Sequence, residues 1–277
     1  MVTLNTVIDW LRPWEPSAPV IIVCAAAISL YAIGMMRGAK PGFWPALSFF
    51  LGMGLMYVVT QTQFDYYSQY LFSAHRFQHL ILHHLGPFLV ALSMPAAVLA
   101  AGLPASVRAW PQGRAAPVFS VLRVLYNGIQ QPFLAAFLFV GILYFWLTPS
   151  IHFYAMLSLD LYWLMNWTMA LDGLLFWWLI FERGRAGVTP RLSPGKRILL
   201  LGMIIPPQIA LGAYITFSRQ NLFDIYDVCG RAFPISPLLD QQIGGLITWI
   251  PASMMSVVAA LIVLAFRLEK EYTHART

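Results

Sequence analysis

Long stretches of this chain carry no Lys, Arg, Asp or Glu. Ala18–Met36, Pro41–Gln63, Phe77–Val107 and Gln241–Phe266 are all free of charge. A bilayer's hydrocarbon core is about 30 Å thick and takes about 20 mostly apolar residues per helix, so runs of this length read as membrane-spanning helices. Composition agrees. Only 10% of the 277 residues are charged and 59% are hydrophobic, whereas roughly a quarter of an ordinary soluble domain is charged. So few charges could not solvate a soluble fold of this size. That excludes a disordered chain, a coiled coil and almost every soluble enzyme. The net charge of +6 is therefore no sign of a nucleic-acid partner; basic residues in such a chain are read by the loop they occupy. Two cysteines exclude a disulfide framework and any Cys-rich zinc or iron–sulfur module.

The runs give an all-α, polytopic membrane protein: a single seven-transmembrane-helix bundle over residues 1–277. The spans fall at about 18–36, 42–63, 75–100, 131–148, 157–181, 198–217 and 242–266. The fourth is bounded by Pro132 as a helix start and Thr148-Pro149 as a stop. The first is read as retained, because Asp9, Glu15 and two prolines precede it and a basic n-region is missing. Thirteen of the seventeen Lys and Arg residues lie in the loops after spans 1, 3 and 5 and in the tail; Arg12, Arg76, Arg219 and Arg231 lie on the other side. The positive-inside rule then puts the N-terminus outside and the C-terminus in the cytoplasm. No repeat or soluble domain is apparent, and the longest outer loop, about 218–240, is aromatic and acidic.

The chemistry-bearing residues concentrate on the third span. Four of the six histidines lie between His75 and His84. His75, His79 and His83 recur at i, i+4 and i+8, a drift of about 40° per step, so they share one stripe of the helix. Neighbours on such a stripe have Cβ atoms about 6 Å apart, close enough for two imidazoles to share one metal ion. At about 1.5 Å per residue His79 lies roughly 10 Å deep, with His83 and His84 near the midplane. Polar groups at that depth face the bundle interior and mark function; the plainer alternative is that they only hydrogen-bond to neighbouring helices.

Asp172 is the lone carboxylate deep within a span. It lies roughly 15 Å from the cytoplasmic boundary, level with His83 and His84. A His–carboxylate pair between spans 3 and 5 would satisfy both groups and orient an imidazole as a ligand. A protonated Asp172 within a local hydrogen-bond network is the alternative. Met53, Met56, Met165, Met169, Met254 and Met255 offer thioethers that suit Cu(I), or simply pack. Cys24 and Cys229 both fall on the outer side and could form a disulfide, bind metal or remain thiols. His152 reads as a relay or an interfacial residue of the loop before span 5, and His274 as a solvated residue of the tail. There is no lysine within the last span for retinal, no Walker motif and no GxSxG elbow. A handling or assembly role fits better than catalysis.

Three stretches carry a family resemblance. Ser73–Pro95, with His75-x-x-Gln78-His79 followed by Pro87 and Pro95, resembles the signature span of the CtaG family. So do Gly173–Trp178 and the block Ser236–Pro251. That family comprises integral-membrane assembly factors of caa3-type cytochrome c oxidase, and the resemblance covers roughly residues 40–268. Its members often carry a histidine where Leu147 follows Trp146 here, and a histidine pair where Tyr162 and Asn166 stand; His83, His84 and Asp172 look like additions. The resemblance implies a chaperone of the respiratory chain in the bacterial inner (cytoplasmic) membrane, handling copper at the outer face. The expected metal ligands are His75, His79 and His83. The expected partners are oxidase subunits, the lipid bilayer and, as an option, further copies of the chain. The alternatives are a metal-free scaffold for oxidase subunits, or a proton or metal-ion transporter built on the histidines and Asp172.

Overall fold

The computed structural model describes residues 10–113, 116–182 and 191–274, and among them there are helices and no strand. Asp9, Arg114, Arg183, Arg185 and the side chain of His274 lie outside the described set. The long helices are α1 (Ala18–Met36), α2 (Phe43–Gln61), α9 (Pro132–Trp146), α11 (Leu159–Phe181), α12 (Pro194–Phe217) and α14 (Pro237–His274). Between them lie α3 (Gln63–Tyr70), α4 (Phe72–His79), a π-helix (Leu80–Leu85), α5 (Gly86–Leu92), α6 (Ala96–Gly102), α7 (Ala105–Arg108), α8 (Ala116–Ile129), α10 (Pro149–Leu157) and α13 (Ile225–Val228).

Five helices, α1, α2, α11, α12 and α14, are long and apolar enough to cross a membrane. Two bent pairs raise the count to seven if each serves as one span: Phe72–Leu92 with α6, bent by 76°, and α8 with α9, bent by 78°. The first bend has a local cause. Pro95 disfavours a helical residue before it, and Met94 takes φ 47. The expected continuous helix over 75–100 is thus broken at this point. The start of α9 follows the sequence rule, since Pro132 sits in its first turn and the Gln131 side chain accepts from the Leu134 N–H. The amphipathic α8 occupies a stretch expected to be loop. None of its residues is buried.

The segment from α4 to α5 runs through the middle of the bundle. It packs on α2, α3, α11 and α14. Its central π-turn follows from sequence. Pro87 has no N–H, so the carbonyl of His83, four residues earlier, loses its α-helical donor. The next bond instead runs from the Gly86 N–H to the Ile81 carbonyl, the wide i→i−5 pattern. The freed His83 carbonyl accepts from Trp177 Nε1 at 3.3 Å. Gly173, one turn earlier on α11, makes that approach possible: any Cβ there would collide with the same carbonyl.

The other end of the segment is fastened by α14. Leu71 is extended, which leaves the first N–H groups of α4 without helical partners. The buried Asp240 carboxylate accepts from the Phe72 and Ser73 N–H groups, both at 2.9 Å, and pairs with Arg231. Gly244, one turn on, meets the Phe72 ring so closely that a Cβ would clash. Gln241 ties α14 to the end of α12, donating to the Ile215 and Gln220 carbonyls and accepting from the Leu222 N–H. Two of the stretches that resemble the assembly-factor family, Gly173–Trp178 and Ser236–Pro251, are therefore the fastenings of the histidine-bearing helix.

Candidate functional site

All four histidines of the central segment are buried, each 2% exposed or less. They divide into two groups. His75 and His79 lie in ring contact, with centroids 4.2 Å apart. His83 turns away to His84 and Asp172, with His83 Nδ1 3.2 Å from His84 Nδ1 and His83 Nε2 3.1 Å from Asp172 Oδ2. The His–carboxylate pair anticipated between spans 3 and 5 is present. The three histidines of the expected stripe do not share one contact cluster. Among the described residues, no group of three His, Cys, Asp or Glu side chains is arranged to hold a metal ion.

Hydrogen-bond partners fix the tautomers. Arg76 donates to His79 Nδ1 at 3.3 Å, so His79 Nε2 carries the proton and donates to Asn166 Oδ1 at 3.1 Å. Asp172 accepts from His83 Nε2–H, so His83 Nδ1 accepts from His84 Nδ1–H. That leaves the lone pair of His84 Nε2 without a partner. The chain Asp172–His83–His84 ends against the rings of Phe139 and Trp177.

His75 differs from the rest. Neither of its buried ring nitrogens forms a hydrogen bond of good geometry, although the Ser68 backbone lies near the ring. Its ring lies between His79 and His152, whose centroid is 5.0 Å away. His152, expected to be a relay or an interfacial residue of the loop before span 5, belongs to the site. It is 1% exposed; its Nδ1–H donates to the Trp146 carbonyl at 3.1 Å, and its Nε2 accepts from the Tyr226 hydroxyl at 3.0 Å. Burial pushes the His152 imidazole down to about 3, against a smaller opposing pull from the Trp146 carbonyl. The ring is therefore neutral near pH 7.

A second polar network flanks the imidazoles. Asp65 on α3 accepts from Tyr162 at 2.7 Å, Gln78 at 2.8 Å and Gln69 at 3.1 Å, while Gln78 also donates to the Val59 carbonyl. Burial raises the Asp65 carboxyl to about 6; those three hydrogen bonds restrain the rise, and Glu15 adds slightly to it. Arg76 is 3% exposed and donates its Nε–H to Thr248 on α14 at 3.0 Å.

The soft donors sit in apolar surroundings. Met165 and Met169 are fully buried in an apolar cluster with Phe72, Trp146 and Tyr162. Met53, Met56 and Cys24 line a cavity of about 260 Å³ that reaches Asp65, Tyr162 and Asn166. Met254 is 62% exposed, and Met255 packs against an apolar cluster. Cys24 is a buried free thiol and Cys229 an exposed one, so they are not joined.

Comparison with known proteins gives one result. The family model of the cytochrome c oxidase caa3 assembly factor matches residues 29–270. That range holds the histidine segment, Gly173–Trp178 and Ser236–Pro251. A search of the curated proteins and a search of the solved structures return no match. With the matched range spanning most of its length, the chain belongs to the cytochrome c oxidase caa3 assembly factor family.

Proposed function

We propose that this multi-pass assembly factor acts in the bacterial inner membrane, with its N-terminus outside, and that it holds copper as cargo for the oxidase at His75. Five long apolar helices, or seven spans if each bent pair crosses once, and the bias of basic residues toward alternate loops support that orientation. The observation that carries the copper reading is His75 itself. It is a fully buried imidazole with neither nitrogen in a hydrogen bond of good geometry, set between two further imidazoles. A polar group in such a place costs free energy unless something binds it. Neutral imidazole nitrogen is a good donor to copper.

The donor set fits a cation of low coordination number. His75 offers a free lone pair in either tautomer. His79 and His152 can offer a second only by releasing Asn166 or Arg76 in the first case, or Tyr226 or Trp146 in the second. Exchange of these weak bonds for a metal bond is what a transfer site needs, because the cargo must leave again. His83, the third expected ligand, stands further along the path with its own carboxylate partner.

A metal-free scaffold is the second reading. It is favoured by Arg76, whose guanidinium lies against His79 and opposes a second cation. The two readings separate in cells that lack the chromosomal copy. If copper is handled at this site, a His75→Ala/His79→Ala/His83→Ala variant that reaches the membrane in normal amount yields oxidase deficient in copper. If that variant yields oxidase with full copper and full activity, the scaffold reading holds and the copper reading is wrong.

A further inference from the structure

Asp172 faces two ways. One oxygen is held by His83 inside the bundle. The side chain also retains 13% exposure and lines a groove of about 700 Å³ between α9, α10 and α11. The groove is otherwise largely apolar: Phe137, Phe145, Tyr154, Leu161 and Leu164 border it, all between 38% and 71% exposed. From Leu161 to Asp172 it follows α11 for about 17 Å, three helical turns.

We propose that this groove seats one transmembrane helix of the oxidase client, and that a basic side chain on that helix meets Asp172. The proposal rests on the assembly-factor reading and names the surface that does the work. The physical argument is charge complementarity. An acyl chain offers no donor to a carboxylate, and an ionisable group at membrane depth is costly unless paired. His83 supplies one neutral donor to Oδ2, and the carboxylate keeps 13% exposure in the groove lining. A helix packed along α9 and α11 would cover the exposed aromatic and leucine side chains and bring a donor to the remaining oxygen. Hydrogen bonding across helices of this kind is a main adhesive between membrane spans. Asp172 lines the groove and holds His83, so a seated helix would touch the same carboxylate that orients the imidazole chain.

The test uses the full-length protein in cells that express the oxidase. A photo-crosslinking residue is placed at Leu164 in the groove, and in a second strain at Val258 on α14, which is 46% exposed and outside the groove. The expected result is a crosslink from position 164, but not from 258, to an oxidase subunit identified by mass spectrometry. Its yield should fall about tenfold in Asp172→Leu, the factor that about 1.4 kcal/mol of lost pairing produces. Asp172→Asn, which keeps an acceptor for His83, guards against misfolding and should give an intermediate yield. Crosslinks from 164 only to lipid or to a second copy of this chain, with oxidase captured from 258, would overturn the groove and leave the assembly role standing. An unchanged yield in both Asp172 variants would overturn the role of the carboxylate. If neither position captures oxidase and a deletion strain assembles it normally, the assembly reading fails, and the groove proposal falls with it.

Discussion

Replacing Asp240 with alanine should unfasten the histidine helix from its anchor. The buried carboxylate accepts from two backbone N–H groups at the start of α4 and pairs with Arg231. Alanine strands both N–H groups, and an unsatisfied buried donor costs about 1–3 kcal/mol. Breaking a buried ion pair by removing one partner costs about 3–5 kcal/mol. The two losses overlap. Arg231 also keeps a second carboxylate, Asp227, at 3.0 Å, so its charge is not stranded. The expected total is therefore set mainly by the two N–H groups, about 2–4 kcal/mol rather than the sum. Asp240→Asn retains one acceptor oxygen and should lose roughly half as much. Unfolding in mixed micelles, followed by tryptophan fluorescence, measures both. A double-mutant cycle with Arg231→Met should show coupling, because removing Arg231 matters less once Asp240 is gone. A loss below about 1 kcal/mol for the alanine variant, the range of ordinary surface changes, would refute the anchoring argument.

Three further predictions concern separate parts of the fold. Gly173→Ala drives a methyl into the His83 carbonyl and should lower stability by about 1–3 kcal/mol, as overpacking does; the same unfolding assay checks it, and a neutral effect would mean that α11 does not approach the π-turn so closely. The apolar face of α8 should lie in lipid parallel to the membrane plane, so in nanodiscs and in a Cys229→Ser background a cysteine at Val121 or Leu125 should resist a water-soluble maleimide while one at Ser120 or Asn127 reacts; equal labelling would contradict it. Asp65, raised to about 6 from an ordinary value of 3.8, binds its proton more tightly in the folded state, so its contribution to stability is greatest at low pH and is lost as pH rises from about 4 to 6. The melting temperature of Asp65→Asn relative to the parent should therefore climb between pH 4 and pH 7, and a flat difference would show that the carboxyl is not shifted.

Much of the architecture was legible in sequence because apolar run length and proline act locally. Pro132 and Thr148-Pro149 marked the limits of α9 to within a residue or two. Matching the depths of His83 and Asp172 along two helices was enough to anticipate their pairing. His152 was not legible as a site residue, since the connection expected between spans 4 and 5 has no depth to match and its partner Tyr226 is distant in sequence. The division of the histidines was hidden as well, although Pro87, four residues after His83, carried its signal. A missing N–H there predicts a freed carbonyl and a widened turn. The helix α8 is hidden from a reading by apolar run length because Arg123 interrupts it. The spacing of Val118, Val121, Leu122, Leu125 and Ile129 opposite Ser120, Arg123 and Asn127 describes an amphipathic helix. Asp240 was visible only as part of a family-like block. Its role as a cap depends on a contact 168 residues apart in the chain.

The copper reading depends on whether the orphaned ring of His75 is a ligand. Copper K-edge absorption spectroscopy of the purified protein, loaded with Cu(I) in detergent, measures this without reference to oxidase activity. About one bound copper with imidazole nitrogen among its ligands is expected, lost in His75→Leu while the protein remains folded. Stoichiometric copper with an unchanged spectrum in that variant, or no copper retained by the parent, would contradict it.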